Sequence, residues 1–129
     1  MPSLSDFAIW PVLAASDIAR ARSWYQEKLG LSPQREDPTG GMYYEFAGGT
    51  WLEVYPTPSA GTAQNTQAHL QVRNIEEFME ELRGRGVVFE EYDFGEMGKT
   101  QNGLIEMMGY KSAWFKDSEG NTFEIAEQT

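Results

Sequence analysis

The chain has 129 residues, of which 40% are hydrophobic and 13% aromatic, so it is long enough to fold as one domain around its own core. Its formal net charge of −10 repels phosphate backbones and anionic membranes, so we expect neither nucleic acid nor a membrane as a partner. The absence of cysteine excludes disulfides, thiol catalysis and thiolate metal sites. Because the N-terminus also shows no signal-peptide pattern, we expect a cytoplasmic protein.

The first half of the chain has the pattern of one strand, one helix and three further strands. Residues 9–15 are short and apolar, which is typical of a strand, and Pro11 favours an edge position. Asp17 is a suitable N-cap for a helix whose apolar stripe runs to Leu29, where Gly30 ends it. The other predicted strands are residues 31–35, 42–47 and 50–55.

The second half follows the same plan after a linker at residues 56–66 that is rich in Pro, Ser, Gly and Thr. A strand at residues 68–72 precedes a helix that Asn74 caps and that runs to about residue 84. Residues 95–110 form a long loop with three methionines, which we interpret as a lid. The other predicted strands are residues 87–94, 111–116 and 122–127.

The two halves repeat one pattern about 57 residues apart, because Ser16-Asp17-Ile18 and Arg73-Asn74-Ile75 each open a helix after a strand. The repeat predicts an α+β fold, a single domain of two βαβββ modules at about residues 6–56 and 66–128. We expect curved mixed sheets that enclose a cleft, with the helices on the outside. Equivalent positions of the two modules then become candidates for one shared site.

Motifs at both ends of the chain resemble a known superfamily. They are Ser16-Asp17-Ile18, Trp24-Tyr25 and Leu29-Gly30-Leu31 in the first half, and the turn Asp117-Ser118-Glu119-Gly120-Asn121 with the strand that follows it. Together they resemble the vicinal oxygen chelate superfamily, which includes glyoxalase I, bleomycin-resistance proteins, fosfomycin-resistance enzymes and extradiol dioxygenases. The resemblance covers nearly the whole chain and implies the two-module fold. It does not select one function, because this fold serves lyases, isomerases, dioxygenases, transferases and binding proteins.

In metal-using members, each module offers one ligand from its first strand and one from its last. Carried over by the resemblance, these positions are Trp10, Glu53, Gln67 and Glu124. The two carboxylates match, but an indole has no lone pair to offer and a glutamine carbonyl is a weak ligand for zinc or iron. We therefore expect no cofactor, with a divalent metal left open as the alternative.

His69 is the only histidine of the chain and falls on the same side of its strand as Gln67. With Glu53 and Glu124 it would complete a set of two carboxylates and one imidazole, which suits non-haem iron or manganese. In the other interpretation it is a histidine of the pocket or core that is hydrogen-bonded to a neighbour. Both interpretations stay open at the level of sequence.

Period-two alternation places several aromatic residues on the face that carries the two glutamates. They are Trp10, Trp51, Tyr55 and Trp114. An aromatic cleft with a few polar groups is typical of an organic-ligand site, and carboxylates beside it favour a cationic or hydrogen-bond-donating compound. The predicted ligand-binding set is thus these four residues together with Glu53, Gln67, His69 and Glu124.

Three functions compete for this cleft. The leading hypothesis is a metal-independent small-molecule binding protein of the bleomycin-resistance type, with an aromatic or cationic ligand between the modules. The alternative is a divalent-metal-dependent lyase, isomerase or dioxygenase that uses Glu53 and Glu124 with His69 or Gln67. A third is metal-free acid–base catalysis by Glu53 or Glu124. In each case we expect a homodimer, because small sheets leave edges and apolar surface that a second copy can cover.

Overall fold

The structure is a computed structural model and describes residues 2–129. Its helices are α1 (Ile18–Trp24), which continues as a π-helical turn over Tyr25–Leu29, and α2 (Ile75–Gly84). The strands are β1 (Val12–Ala15), β2 (Arg35–Glu36), β3 (Met42–Phe46), β4 (Thr50–Pro56), β5 (Thr66–Gln71), β6 (Ile105–Met107), β7 (Tyr110–Lys116) and β8 (Thr122–Gln128). None of the helices in residues 2–129 has the length and apolar character needed to cross a membrane.

The strands form two four-stranded mixed sheets with the same topology. The first sheet has the order β1-β4-β3-β2 and the second has the order β5-β8-β7-β6. In each, the first strand of the module pairs in parallel with the last strand, and the other pairs are antiparallel. The prediction of an α+β fold built from two βαβββ modules is therefore confirmed.

The first helix begins and ends where its sequence signals lie. The Asp17 carboxylate accepts a hydrogen bond of 3.0 Å from the backbone N–H of Arg20, which satisfies one free donor of the first turn. Gly30 ends the helical segment in the left-handed region, with φ of +70°. A Cβ at this position would lie 3.0 Å from the Arg85 guanidinium, so glycine also allows the ends of the two helices to approach.

One core joins both modules, because α1 contacts both sheets. The Tyr25 ring stacks on Tyr44 of the first sheet with centroids 5.2 Å apart and meets Phe123 of the second sheet edge-on at 6.2 Å. Each sheet thus turns one face towards this common core. The opposite faces point away from it, and they carry most of the polar and aromatic residues that alternation assigned to a site.

Two predicted strands differ in the structure. Residues 87–94 do not form a strand: only isolated bridges occur there, at Phe89 and Asp93. The backbone of this segment bridges two different partners, Phe115 of β7 and the later residue Lys99, so no continuous ladder of hydrogen bonds forms. The second sheet takes its fourth strand, β6, from within the predicted loop at residues 95–110. In the first sheet, the strand predicted at residues 31–35 is reduced to the two residues of β2.

The turn between β7 and β8 fastens the second module to the start of α1. The Glu119 carboxylate, whose side chain is fully buried, accepts hydrogen bonds from Arg20 Nε at 2.8 Å and from the backbone N–H of Asp17 at 3.0 Å. It also accepts from the hydroxyls of Ser16 and Ser118. These donors lower the pKa of Glu119 to about 2, with Arg20 as the largest cause. The carboxylate is therefore ionised throughout the physiological range.

A second buried carboxylate in the same turn, that of Asp117, links the turn to the first module. Asp117 accepts a 2.6 Å hydrogen bond from the hydroxyl of Tyr25 and a 2.8 Å hydrogen bond from the Asn121 side-chain amide. Burial, with Asp117 alongside, raises the pKa of Tyr25 well above its ordinary value, so the hydroxyl keeps the proton that it donates. Asn121 also donates to the carbonyl of Ala14 in β1, which ties the turn to the first sheet.

Candidate functional site

A cavity of about 360 Å³ lies at the junction of the two modules. We call it the inter-module cavity. The first module contributes the residues before β1, the end of β3 and the start of β4, and the second module contributes β5 and Phe123. Its lining is formed by Ile9, Pro11, Phe46, Ala47, Thr50, Trp51, Leu52, Ala68, His69, Leu70, Gln71 and Phe123. The size and the mixture of apolar wall with a few polar groups are those of a small-molecule site.

The polar side of the cavity is a hydrogen-bonded chain centred on His69. Its Nδ1 lies 2.9 Å from Glu124 Oε1, and its Nε2 lies 2.6 Å from Gln71 Nε2. An amide nitrogen can only donate, so Nε2 of His69 is the acceptor of the Gln71 amide. Nδ1 of His69 therefore carries the hydrogen and donates it in the hydrogen bond to Glu124. Both ring nitrogens are thus engaged within the chain. The interpretation of His69 as a hydrogen-bonded pocket residue matches this arrangement.

Trp51 forms the aromatic side of the cavity and is accompanied by a cation that sequence reasoning missed. The Arg35 guanidinium lies 4.5 Å from the centroid of Tyr43 and 5.9 Å from that of Trp51, within cation–π range. Strand register places Arg35, Tyr43 and Glu53 in one row on the same face. The face around Glu53 is therefore not purely acidic. The position of Arg35 at the end of a predicted strand was the available signal.

Only two of the eight predicted ligand-binding residues, Trp51 and His69, line this cavity. Glu124 lies directly behind His69 as its hydrogen-bond acceptor. Trp10 is absent from the lining, although its neighbours Ile9 and Pro11 contribute to it. Trp114 is buried under Tyr92 and Phe94, on the part of the second sheet covered by residues 92–94.

The remaining three predicted residues lie elsewhere. Glu53 and Tyr55 project from the face of the first sheet that points away from the core. Gln67 has a structural role, because its Nε2 donates to Asn121 Oδ1 and its Oε1 accepts from the backbone N–H of Thr122, both at 3.0 Å. A single chain therefore does not bring Glu53, Gln67 and Trp10 to the cavity that Trp51 and His69 form.

The residues at the superfamily's metal-ligand positions do not fit a metal ion within one chain. Across residues 2–129, no group of three or more His, Cys, Asp or Glu side chains lies close enough to hold one. The Gln67 carbonyl is already used by a backbone N–H, and both nitrogens of His69 are paired. Only Glu124 stands beside His69, since Glu53 belongs to the other sheet.

The segment at residues 95–110 is fixed to its own module. The Glu91 carboxylate accepts a 2.6 Å hydrogen bond from the Thr100 hydroxyl and a 3.0 Å hydrogen bond from the backbone N–H of Gly103. The segment also contains β6, which pairs with β7. None of its residues lines the inter-module cavity, so the structure gives no support to the predicted lid.

Comparison of the sequence with models of known families identifies the family to which the chain belongs. Residues 8–125 match the model of the Glyoxalase/Bleomycin resistance protein/Dioxygenase superfamily, so the chain belongs to that superfamily. A comparison with curated protein sequences finds no match.

Solved structures with the same fold share little sequence with this chain. UcmS2 is 17% identical with a TM-score of 0.70, covering 93% of this chain and 98% of its own. TnmS3, an antibiotic-binding protein from Streptomyces sp. CB03234, is 18% identical with a TM-score of 0.70, over 95% and 98% of the two chains. The fosfomycin resistance protein FosX from Listeria monocytogenes is 16% identical with a TM-score of 0.68, over 100% and 96%.

Proposed function

We propose that this protein binds a small organic molecule with an aromatic part in the inter-module cavity and that binding does not require a metal. The observation that carries the proposal is the cavity itself, to which one module contributes Trp51 and the other contributes His69 and Gln71. TnmS3, an antibiotic-binding protein of the same fold, supports a binding role. A ligand here would hold the two modules together.

The chemistry of the lining limits the ligand. A flat aromatic group can stack on Trp51, and aromatic contact is the main source of affinity at such sites. Gln71 offers hydrogen bonds from the second module, and the His69 ring, which Glu124 keeps oriented, offers a flat surface for contact. A cationic group would be attracted by Glu124 and by the indole face, whereas an acceptor group would meet Arg35 beside Trp51. The aromatic part is therefore the common requirement.

A thermal-shift screen tests the proposal with two sets of aromatic compounds, one cationic and one neutral. A ligand that binds only the folded state raises the melting temperature, so we expect at least one set to contain stabilising compounds. Tryptophan fluorescence then gives Kd for each, because Trp51 lies in the cavity. If neither set shifts the melting temperature and calorimetry finds no binding, the cavity is not a ligand site.

Metal analysis gives a separate prediction. We expect protein purified without chelator to contain no stoichiometric zinc, iron, nickel or manganese, because a single chain assembles too few free donors around Glu124. Elemental analysis of the purified protein measures this directly. Stoichiometric metal that is lost on Glu124→Gln substitution would contradict the prediction and favour the divalent-metal enzyme. Glu53→Gln is the matched variant, because it tests whether a second copy supplies the other carboxylate.

We further propose that the protein is a homodimer. Leu4, Phe7 and Ile9 precede β1 and are 92%, 65% and 89% exposed, and Val12 within β1 is 51% exposed. Together they make an apolar strip next to the free edge of β1, which pairs only with β4. A strip of this kind beside an unpaired strand edge is typical of a surface that another chain covers. A second copy would also bring further aromatic and acidic side chains to the outward faces of the sheets.

Sedimentation tests the dimer. We expect a mass of twice the 14.6 kDa chain at micromolar concentration. Replacing Leu4, Phe7 and Ile9 together by Ser should shift the mass towards the monomer, because it removes the apolar strip without touching a core residue. The same replacement at exposed Val88, Met97 and Met108, which lie in the other module, is the matched control. A monomer in the unmodified protein would contradict the proposal.

A further inference from the structure

A second cavity, of about 190 Å³, lies beside the inter-module cavity under the two helices. We call it the inner cavity. Its wall is almost entirely apolar: Leu29 and Leu31 follow α1, Phe78 and Leu82 belong to α2, and Phe115 and Ile125 belong to the second sheet. Two charged residues also belong to its lining: Glu81 lies in α2, and Arg85 directly follows that helix.

The two cavities are neighbours with a common wall. Phe46, Leu70 and Phe123 line both of them. Phe46 and Leu70 are only partly buried, whereas Phe123 is 2% exposed and belongs to the core. Phe46 and Leu70 are thus the less buried part of the common wall, through which the two cavities would join, while Phe123 would stay in place.

The inner cavity is suited mainly to an apolar group, because Glu81 and Arg85 are the two charged residues among its mostly apolar lining. An apolar cavity of about 150 Å³ is known to hold benzene, so 190 Å³ accommodates an alkyl chain of about six carbons. Water would find few partners along this wall, because phenyl rings and leucine and isoleucine side chains make up most of it. The inter-module cavity, by contrast, offers an indole, an imidazole and an amide.

We propose that the ligand of this protein is an amphiphile, with an aromatic head against Trp51 and His69 and an alkyl tail that enters the inner cavity past Phe46 and Leu70. The inference rests on the proposed function, since the head occupies the inter-module cavity. It adds the ligand's chemical class and a second subsite that determines chain-length preference. The tail would lie against Leu31 and Phe78.

Alkyl esters of 4-hydroxybenzoic acid, from methyl to hexyl, provide the test series, because the head stays constant while the tail grows. Each buried methylene should tighten Kd by two- to fourfold until the inner cavity is full. Calorimetry or tryptophan fluorescence measures Kd along the series. Affinity that stays flat from the methyl to the hexyl ester overturns the proposal.

A pair of matched variants locates the tail. Leu31→Trp should fill the inner cavity and abolish the dependence of Kd on chain length. Leu104→Trp is the control, because Leu104 is also a partly buried leucine but lines neither cavity. Thermal unfolding shows whether both variants remain folded. Equal chain-length dependence in Leu31→Trp and in the unmodified protein places the tail elsewhere and overturns the proposal.

Benzene alone tests the inner cavity without any head group. We expect it to shift the NMR resonances of Phe78 and Ile125 in the unmodified protein and in Leu104→Trp, but not in Leu31→Trp. Failure of the whole ester series and of both compound sets of the screen to bind would refute the proposed function, whereas failure of benzene to perturb these resonances would refute the inner subsite alone. The two failures are therefore distinguishable.

Discussion

Glu119→Gln is expected to lower the free energy of unfolding by about 2–3 kcal/mol. The reason is that the Glu119 carboxylate accepts hydrogen bonds both from the Arg20 guanidinium and from the backbone N–H of Asp17 at the start of α1. The substitution keeps the shape of the side chain. It replaces one acceptor oxygen by an amide donor, which then faces the donors of Arg20 and Asp17. Arg20 is half exposed, so the ion pair itself contributes less than the loss of acceptors at a fully buried site. Urea denaturation at pH 7 measures the difference.

The pH dependence of this difference follows from the lowered pKa of Glu119. A carboxylate with a pKa of about 2 in the folded protein and an ordinary value of 4.5 stabilises the fold fully above pH 4.5. The contribution declines as the pH falls towards 2. The gap between the unmodified protein and Glu119→Gln should therefore narrow over this range. A gap of constant size from pH 6 to pH 2 would contradict the assigned role.

The control for Glu119 is Glu127, whose carboxylate caps the start of α2 as that of Glu119 caps the start of α1. Its carboxylate accepts hydrogen bonds from the backbone N–H groups of Asn74 and Ile75 at the start of α2. Glu127 is half-buried, whereas the Glu119 side chain is fully buried, and its donors are these backbone N–H groups and not an arginine. Glu127→Gln should therefore destabilise the protein less than Glu119→Gln. Equal losses would mean that helix capping, and not the junction between the modules, accounts for the effect.

Local signals were enough to predict both helices and most strands. Asp17 and Gly30 act through their own backbone neighbours, so their effect can be inferred without knowing the rest of the molecule. The strand predicted at residues 87–94 was wrong because its backbone has no continuous partner: Phe89 bridges to Phe115 and Asp93 to Lys99. Hydrophobic periodicity does not indicate whether a neighbouring strand is available for pairing.

The site was predicted less completely than the fold. Alternation placed His69 on the side of Gln67, and the structure joins His69 to Glu124, another predicted site residue, by a hydrogen bond. Alternation could not show that the Gln67 side-chain amide is hydrogen-bonded to Asn121 and Thr122, because these residues lie in and after a turn more than 50 residues away. Nor could it show that the two modules share one core. That arrangement turns the face that carries Glu53 away from the centre of the chain and places the cavity at the junction instead.

Trp51→Ala is expected to weaken binding of the aromatic ligand by about 30-fold, which corresponds to about 2 kcal/mol of lost contact. Trp51 is the largest aromatic side chain in the lining of the inter-module cavity, and the other wall offers mainly hydrogen bonds. Calorimetry with the best compound of the screen measures the change in Kd. The fluorescence response to the ligand should also decrease, since Trp51 is the tryptophan in the lining.

Phe94→Ala is the matched control for Trp51→Ala, because Phe94 is also an aromatic residue with an exposed edge but lies over Trp114 and outside the cavity. It should leave Kd within about twofold of the unmodified value, since truncation at a site without ligand contact costs little affinity. If both variants bind equally well while remaining folded, the ligand does not stack on Trp51. If Phe94→Ala alone weakens binding, the ligand lies on the outward face of the second sheet, where Trp114 and Glu124 are paired across β7 and β8.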